Sequence, residues 1–152
     1  PEKAVSICLS LVEKINKNYK KIDLILSPAI GGIVVGYEIG RQMKIQTIFA
    51  ERENGKLILR RGFNISSSSN VLIVEDVITT GRSALECSNL LKKHKANLIG
   101  FACIIDRSND KILIKDKITS QVKIKISTYK ENELPDKIKN IKPIKPGSRN
   151  IF

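Results

Sequence analysis

The chain has 152 residues, 41% hydrophobic and 28% charged, which is enough for one folded domain with its own core and excludes a disordered or fibrous chain. No signal peptide opens it and no apolar run approaches the roughly 20 residues of a helical membrane span, so no membrane-spanning helix is expected in it. The formal net charge of +12 admits an anionic partner, either a phosphorylated substrate or nucleic acid, but the lysines are scattered and aromatics are only 5%, which favours compositional bias over a nucleic-acid surface.

From the N-terminus, Ala4, Val5, Cys8, Leu11, Val12, Ile15 and Tyr19 fall on one face at helical spacing, which predicts an amphipathic helix. "DLILS" predicts a short buried strand that enters the glycine-containing loop "PAIGG". "IVVGYEIGRQM" predicts a helix weakened by Gly36 and Gly40, and "IQTIFA" a second strand. In "ERENGKLILRRGFNI" the pair Asn54-Gly55 between strand-like flanks predicts a hairpin or a mobile loop. A polar linker, Ser66 to Asn70, leads into a third strand, "VLIVED", and then a helix, "GRSALECSNLLKKH". "LIGFACIID" predicts a fourth buried strand, and the alternating "VKIKIST" an edge strand. The segment "IKPIKPGSRNIF" has two prolines and little periodicity, which predicts a C-terminal tail from about residue 140.

Strands alternating with helices predict a single α/β domain over residues 1–152, with a mainly parallel central sheet, helices on both faces and right-handed crossovers. Ligands of such sheets bind beyond the carboxyl ends of the strands. Those ends carry "SPAIGG", "AERENG", "EDVITTGRS" and "DRSND". The cysteines, Cys8, Cys87 and Cys103, are odd in number and lack metal-type spacing, which predicts reduced, buried thiols in the cytoplasm. His94, the only histidine, stands among lysines late in a predicted helix, where a solvated helix end is expected rather than a catalyst.

The informative stretch is "VLIVEDVITTGRS", Val71 to Ser83. A carboxylate pair at the end of a buried strand accepts hydrogen bonds, and vicinal sugar hydroxyls donate them. Thr79, Thr80, Gly81, Arg82 and Ser83 then form a turn into a helix, where backbone N–H groups and hydroxyls make a phosphate cradle. Gly81 permits close backbone approach. Acids and loop together suit a ribose and its 5′-phosphate, although a solvated acid pair followed by a Thr/Ser helix cap would use the same residue types. The glycine-rich loop of ordinary ATPases is absent.

This stretch resembles the 5-phosphoribosyl 1-pyrophosphate (PRPP) signature of the type I phosphoribosyltransferases. Together with "SPAIGGIVVGYEIGRQM", "FAERENGKLILRRGF" and "DRS", it is similar in order and spacing to the bacterial orotate phosphoribosyltransferases from Asp23 to Arg107, and the first helix and "KPGSR" also fit. The resemblance implies the type I phosphoribosyltransferase fold. It implies transfer of the phosphoribosyl group from PRPP to orotate, giving orotidine 5′-monophosphate and pyrophosphate in pyrimidine synthesis. It also implies Mg²⁺ carried in on PRPP without a metal site of the protein's own, and a cytoplasmic homodimer that shares its active sites.

Position by position, the resemblance implies that Glu75 and Asp76 hold the ribose hydroxyls within a PRPP-binding run that continues through Val77, Ile78, Thr79, Thr80, Gly81, Arg82 and Ser83. Thr79 would also touch orotate, and Arg107 would pair with the orotate carboxylate, two-pronged, as a planar guanidinium can. Ala29, Ile30, Gly31 and Gly32 would form the pyrophosphate loop. Arg52, Lys56, Arg60 and Arg61 would belong to a catalytic loop that closes over PRPP in the neighbouring subunit. There are departures. Many relatives carry Lys where Gly31 stands, the usual longer Lys/His-containing loop is not visible, and the N-terminal hood segment ahead of "PEKA" is missing. With no initiator Met, the expectation is either a trimmed fragment or a site left incomplete on the base side. Other readings are a phosphoribosyltransferase for another base, which would leave Arg107 without a carboxylate to meet, or a regulator of this fold that binds nucleic acid, which the basic charge favours slightly.

Overall fold

The computed structural model describes residues 1–109, 112–127, 129–142 and 144. The run Leu24–Pro28 is apolar and short, and it forms β1, buried along its whole length at the centre of a six-stranded sheet. The strands are β2 (Gln46–Glu53), β3 (Lys56–Leu59), β4 (Asn70–Ile78), β5 (Asn97–Asp106) and β6 (Ile118–Lys123), in the spatial order β3-β2-β1-β4-β5-β6. All neighbouring pairs are parallel except β2 with β3. Asn54 and Gly55, with φ of 48° and 78°, make the tight turn of that antiparallel hairpin. This is the geometry that an Asn-Gly pair favours.

Helix α1 (Glu2–Asn18) buries Cys8, Leu11, Val12 and Ile15. Together with α2 (Gly31–Met43) it covers one face of the sheet, against Ile25, Leu72, Val74 and Ala102. Ala4 and Val5, assigned to the same stripe by spacing, are exposed; a stripe is buried only where another layer covers it. Helix α3 (Arg82–Lys93) covers the other face, with Ala84, Cys87, Leu90 and Leu91 packed on Val71, Ile73, Phe101 and Cys103. His94 caps the end of α3 as expected, and is half-buried rather than fully solvated.

Two strand boundaries differ from the sequence reading. The edge strand begins at Ile118, four residues before "VKIKIST", and stops at Lys123. Its register runs from Phe101↔Ile118 to Asp106↔Lys123, and β5 ends at Asp106, so pairing stops after the Ile124 N–H, which donates to Asp106 O at 2.9 Å. Strand β4 also continues past its acids to Ile78, because β5 supplies partners up to Ile78↔Asp106. The predicted tail extends largely beyond the described residues, which leave out 143 and 145–152 and with them all of "KPGSR". A single-turn helix, Asp136–Lys139, lies just before that region.

The order places the site. The chain leaves β1 through α2 toward β2, and leaves β4 through α3 toward β5, on the opposite side. Adjacent parallel strands whose connections diverge leave a crevice at their carboxyl ends.

Candidate active site

Strands β1 and β4 pair only as far as Leu26↔Ile73, whereas β4 stays paired with β5 to Ile78. Residues 74–78 therefore line an open gap on the β1 side. Strand geometry sends successive side chains to opposite faces. Val71 and Ile73 pack under α3, and Leu72 and Val74 under α1 and α2. By the same alternation Glu75 belongs to the α3 face and Asp76 to the α2 face. The sequence reading put both acids where the strand leaves the sheet. They instead lie inside the strand, with Glu75 only 8% exposed and Asp76 half-buried. Asp76 Oδ1 accepts the N–H of Val77 at 2.9 Å, which fixes its carboxylate.

A cavity of about 560 Å³ fills the gap, lined by residues 28–31, Arg52 and residues 75–83. The three segments singled out in the sequence converge here. The loop from Thr79 to Ser83 is braced from behind: Arg107 N–H donates to Ile78 O (2.8 Å), and Leu113 N–H to Thr80 O (2.9 Å). Gly81 has φ of 78°, and a Cβ there would come within 2.6 Å of the Ile114 side chain. Thr79 and Thr80 are exposed to the cavity mouth, and α3 starts at Arg82 without a side-chain cap. The first N–H groups of a helix have no intrahelical partner, so this end offers donors to an anion.

The opposite wall is the loop ahead of α2. Ala29 is a correction to the proposed set of backbone donors: its N–H already donates to Ala50 O at 2.8 Å, since the loop continues the β1–β2 ladder for one more residue. Gly31 and Gly32, in the first turn of α2, keep the geometry of unsatisfied helix-end donors. The Ile30 side chain is 84% exposed. A Cβ at Gly31 would overlap Asp76 Oδ2 and lie 2.6 Å from Asp76 Cγ. A side chain at position 31, such as the Lys of many relatives, would displace the Asp76 carboxylate from this position.

The hairpin cations separate. Arg52 lines the cavity; Lys56, Arg60 and Arg61 do not. Arg61 makes a two-pronged pair with Glu51 (2.8 and 2.9 Å), and Arg60 pairs with Glu53 at 3.4 Å. The Arg61 partnership holds the Glu51 carboxyl below its ordinary range. Arg52 donates to Gly55 O in the hairpin turn and pairs with Glu86 on α3. Glu86 was not singled out from the sequence. Its i,i+4 spacing from Arg82 was a usable signal, but its contact with Arg52 is purely tertiary.

Arg107 lies outside the cavity lining, at the carboxyl end of β5 next to Ile78. Its Nε is buried without a hydrogen-bond partner. Asp106 anchors this corner: Oδ1 accepts the Ser108 N–H at 2.8 Å and Oδ2 lies 3.5 Å from Lys123 Nζ. Burial raises the Asp106 carboxyl, but Ser108 and Lys123 outweigh it and leave it below the ordinary carboxylate range. The cysteines are free and buried. Burial, helped by Asp106, pushes the Cys103 thiol up to about 12, and burial with the Glu75 charge raises Cys87 further, so neither supplies a thiolate nucleophile at neutral pH.

Residues 2–136 match the family described as phosphoribosyl transferase domain. The chain is 41% identical to the orotate phosphoribosyltransferase of Parvibaculum lavamentivorans over 152 residues, covering 99% of this chain and 78% of that protein. Over 131 residues it is 46% identical to the orotate phosphoribosyltransferase of a Thermoanaerobacter species, covering 86% and 69%. Among solved structures, the adenine phosphoribosyltransferase of Thermoanaerobacter pseudethanolicus has a TM-score of 0.68 at 17% identity, covering 82% of each chain, a likeness of fold alone.

Proposed function

The chain belongs to the orotate phosphoribosyltransferases, within the phosphoribosyl transferase domain family, and on that premise we propose that its cavity binds PRPP and passes the 5-phosphoribosyl group to orotate. The products are orotidine 5′-monophosphate and pyrophosphate, a step of pyrimidine nucleotide synthesis. The observation that carries this reading is the convergence of Glu75, Asp76 and the Thr79–Ser83 helix-start loop on one cavity at the β1–β4 divergence. The carboxylates accept hydrogen bonds from the ribose 2′- and 3′-hydroxyls, and the loop holds the 5′-phosphate. This leaves the sugar C1 facing the Gly31–Gly32 helix start and Arg52.

At C1 the bond to the pyrophosphate oxygen breaks and its electron pair leaves with pyrophosphate, while a ring nitrogen of orotate forms the new bond and gives up its proton to water or to the departing pyrophosphate. Positive charge grows on the sugar and negative charge on the departing group. Arg52 and the first N–H groups of α2 are placed to stabilise the latter, and fixed dipoles of this kind need no reorganisation during the reaction. Thr79 and Arg107 serve orotate, the Arg107 guanidinium meeting its carboxylate.

Mg²⁺ fits this donor set as a passenger on PRPP. The carboxylates lining the cavity are those of Glu75 and Asp76. Mg²⁺ commonly takes one or two carboxylates and completes its shell with phosphate oxygens and water. When bound, it neutralises charge on the diphosphate.

The test is pyrophosphate release by the chain in the presence of PRPP and Mg²⁺. Release is expected to depend on orotate and to be absent with uracil or adenine. Equal release with adenine, or none with orotate from a chain that carries the hood segment, would overturn the reading.

We further propose a homodimer. On α2 and its cap, Ile30, Val34 and Tyr37 are 84%, 70% and 62% exposed at helical spacing, an apolar stripe beside the cavity that a second copy would cover. Lys56, Arg60 and Arg61, turned from their own chain's cavity, are then candidates to serve the partner's. Mixing a Lys56→Ala/Arg60→Ala/Arg61→Ala variant with an Asp76→Asn variant is expected to restore part of the lost activity through hybrid sites. Absence of restoration under conditions of subunit exchange would exclude shared sites. Three buried free thiols also suit a reducing cytoplasm, and no helix among the described residues is long and apolar enough to cross a membrane.

A further inference from the structure

Glu86 stands one helical turn beyond Arg82 on α3, and its side chain is 23% exposed. Its two oxygens face two different arginines. Oε2 lies 2.8 Å from Arg52 Nη2, and Oε1 accepts from Arg82 Nε at 3.3 Å. The Arg52 contact is an ion pair without hydrogen-bond alignment. Both arginines line the cavity, and Glu86 does not. Arg52 comes from β2 and also donates to Gly55 O in the hairpin turn. One carboxylate thus joins the β2–β3 hairpin to the helix that carries the phosphate loop.

We propose that Glu86 is a positioning residue that orients Arg52 toward the diphosphate of PRPP. The inference rests on the reading of the cavity as a PRPP site. A guanidinium has five donors, so Arg52 can keep its contacts with Glu86 and Gly55 and still present donors to an anion. Arg52 is 42% exposed on its side chain and sits next to the edge strand of the sheet. Without an anchor, a long side chain there must be ordered at the moment of binding, and that cost is subtracted from affinity.

A competing effect has the opposite sign. A carboxylate close to an anionic ligand repels it, so if Glu86 only neutralised the arginines, removing it would tighten PRPP binding. Positioning requires removal to weaken it. The sign of the effect therefore decides between the two roles.

The test uses calorimetric titration of the full chain with PRPP and Mg²⁺, alongside initial-rate kinetics, for wild type, Glu86→Gln, Glu86→Ala, Arg52→Ala and the double variant Arg52→Ala/Glu86→Ala. Glu86→Ala is expected to weaken PRPP binding by about three- to tenfold, the range set by ordering one long side chain, with the KM for orotate unchanged. Glu86→Gln, of the same shape, is expected to fall between wild type and Glu86→Ala, and keeps the test open if the Ala variant folds poorly. In the Arg52→Ala background, loss of Glu86 is expected to add nothing, because two residues acting through one contact are not additive. Tighter or unchanged PRPP binding in both Glu86 variants, or an equal loss with and without Arg52, would overturn the positioning role while leaving the PRPP site standing. A wild-type chain that does not bind PRPP would overturn both.

Discussion

Replacing Asp76 with Asn is expected to lower kcat/KM for PRPP by about 10- to 100-fold, the equivalent of about 1.5–3 kcal/mol for a hydrogen bond to a charged acceptor. The side chain is held by the Val77 N–H on Oδ1 and stands against the Gly31 backbone, so it faces the cavity in a fixed orientation. Asn keeps the volume and one acceptor, but it replaces the other carboxylate oxygen with a donor and removes the charge. A ribose hydroxyl that donates to Asp76 then meets an N–H in one rotamer and a weaker, neutral acceptor in the other. Glu75→Gln is expected to act in the same direction from the opposite face of the strand. Initial-rate kinetics at varied PRPP and saturating orotate measure both. If neither variant changes the dependence on PRPP, the carboxylate pair does not hold the ribose.

Arg107→Ala is expected to raise the KM for orotate by about 100-fold while changing the KM for PRPP little. The backbone of Arg107 is fixed by its N–H to Ile78 O and by the Asp106–Ser108 turn, so the side chain starts from a rigid corner at the sheet's carboxyl edge. Its Nε is buried and has no hydrogen-bond partner. A buried guanidinium donor without a partner is costly, and an incoming carboxylate would satisfy it. Loss of a charged, hydrogen-bonded pair costs about 3 kcal/mol, roughly two powers of ten. Arg107→Lys is expected to recover only part of this, because an ammonium is a point charge and cannot reproduce the two-pronged geometry. A site built for a charged group discriminates strongly against an analogue lacking it. Orotate kinetics identical in wild type and Arg107→Ala would remove Arg107 from the base site and reopen the choice of acceptor base.

The chain of inference from residues to site was strongest where the signals are local. The buried run before Glu75, the Thr-Thr-Gly turn and the periodicity of residues 82–94 specified strand, loop and helix in succession, because each depends on neighbours within a few positions. The Asn54-Gly55 pair specified its hairpin for the same reason: both residues adopt positive φ, which few other pairs do at low cost. The converging segments, residues 28–31, Arg52 and residues 75–83, were each visible in the sequence as strand ends.

Tertiary structure decided what depends on partners distant in the chain. A strand ends where its neighbour stops, so the reach of β4 to Ile78 and the early start of β6 followed from β5 rather than from their own residues. Of the four hairpin cations, equivalent by composition, only Arg52 lines the cavity. Glu51 and Glu53 pair with Arg61 and Arg60 on the hairpin itself, whereas Glu86 meets Arg52 from α3, the helix packed on the same face of the sheet. The Ala29 N–H, a plausible donor by position, is already bonded to Ala50 because the β1–β2 ladder runs one residue further than the strand. Local sequence determined which residue types stand at the sheet's carboxyl edge. The pairing of strands and of charges determined which of their atoms are left to meet a ligand.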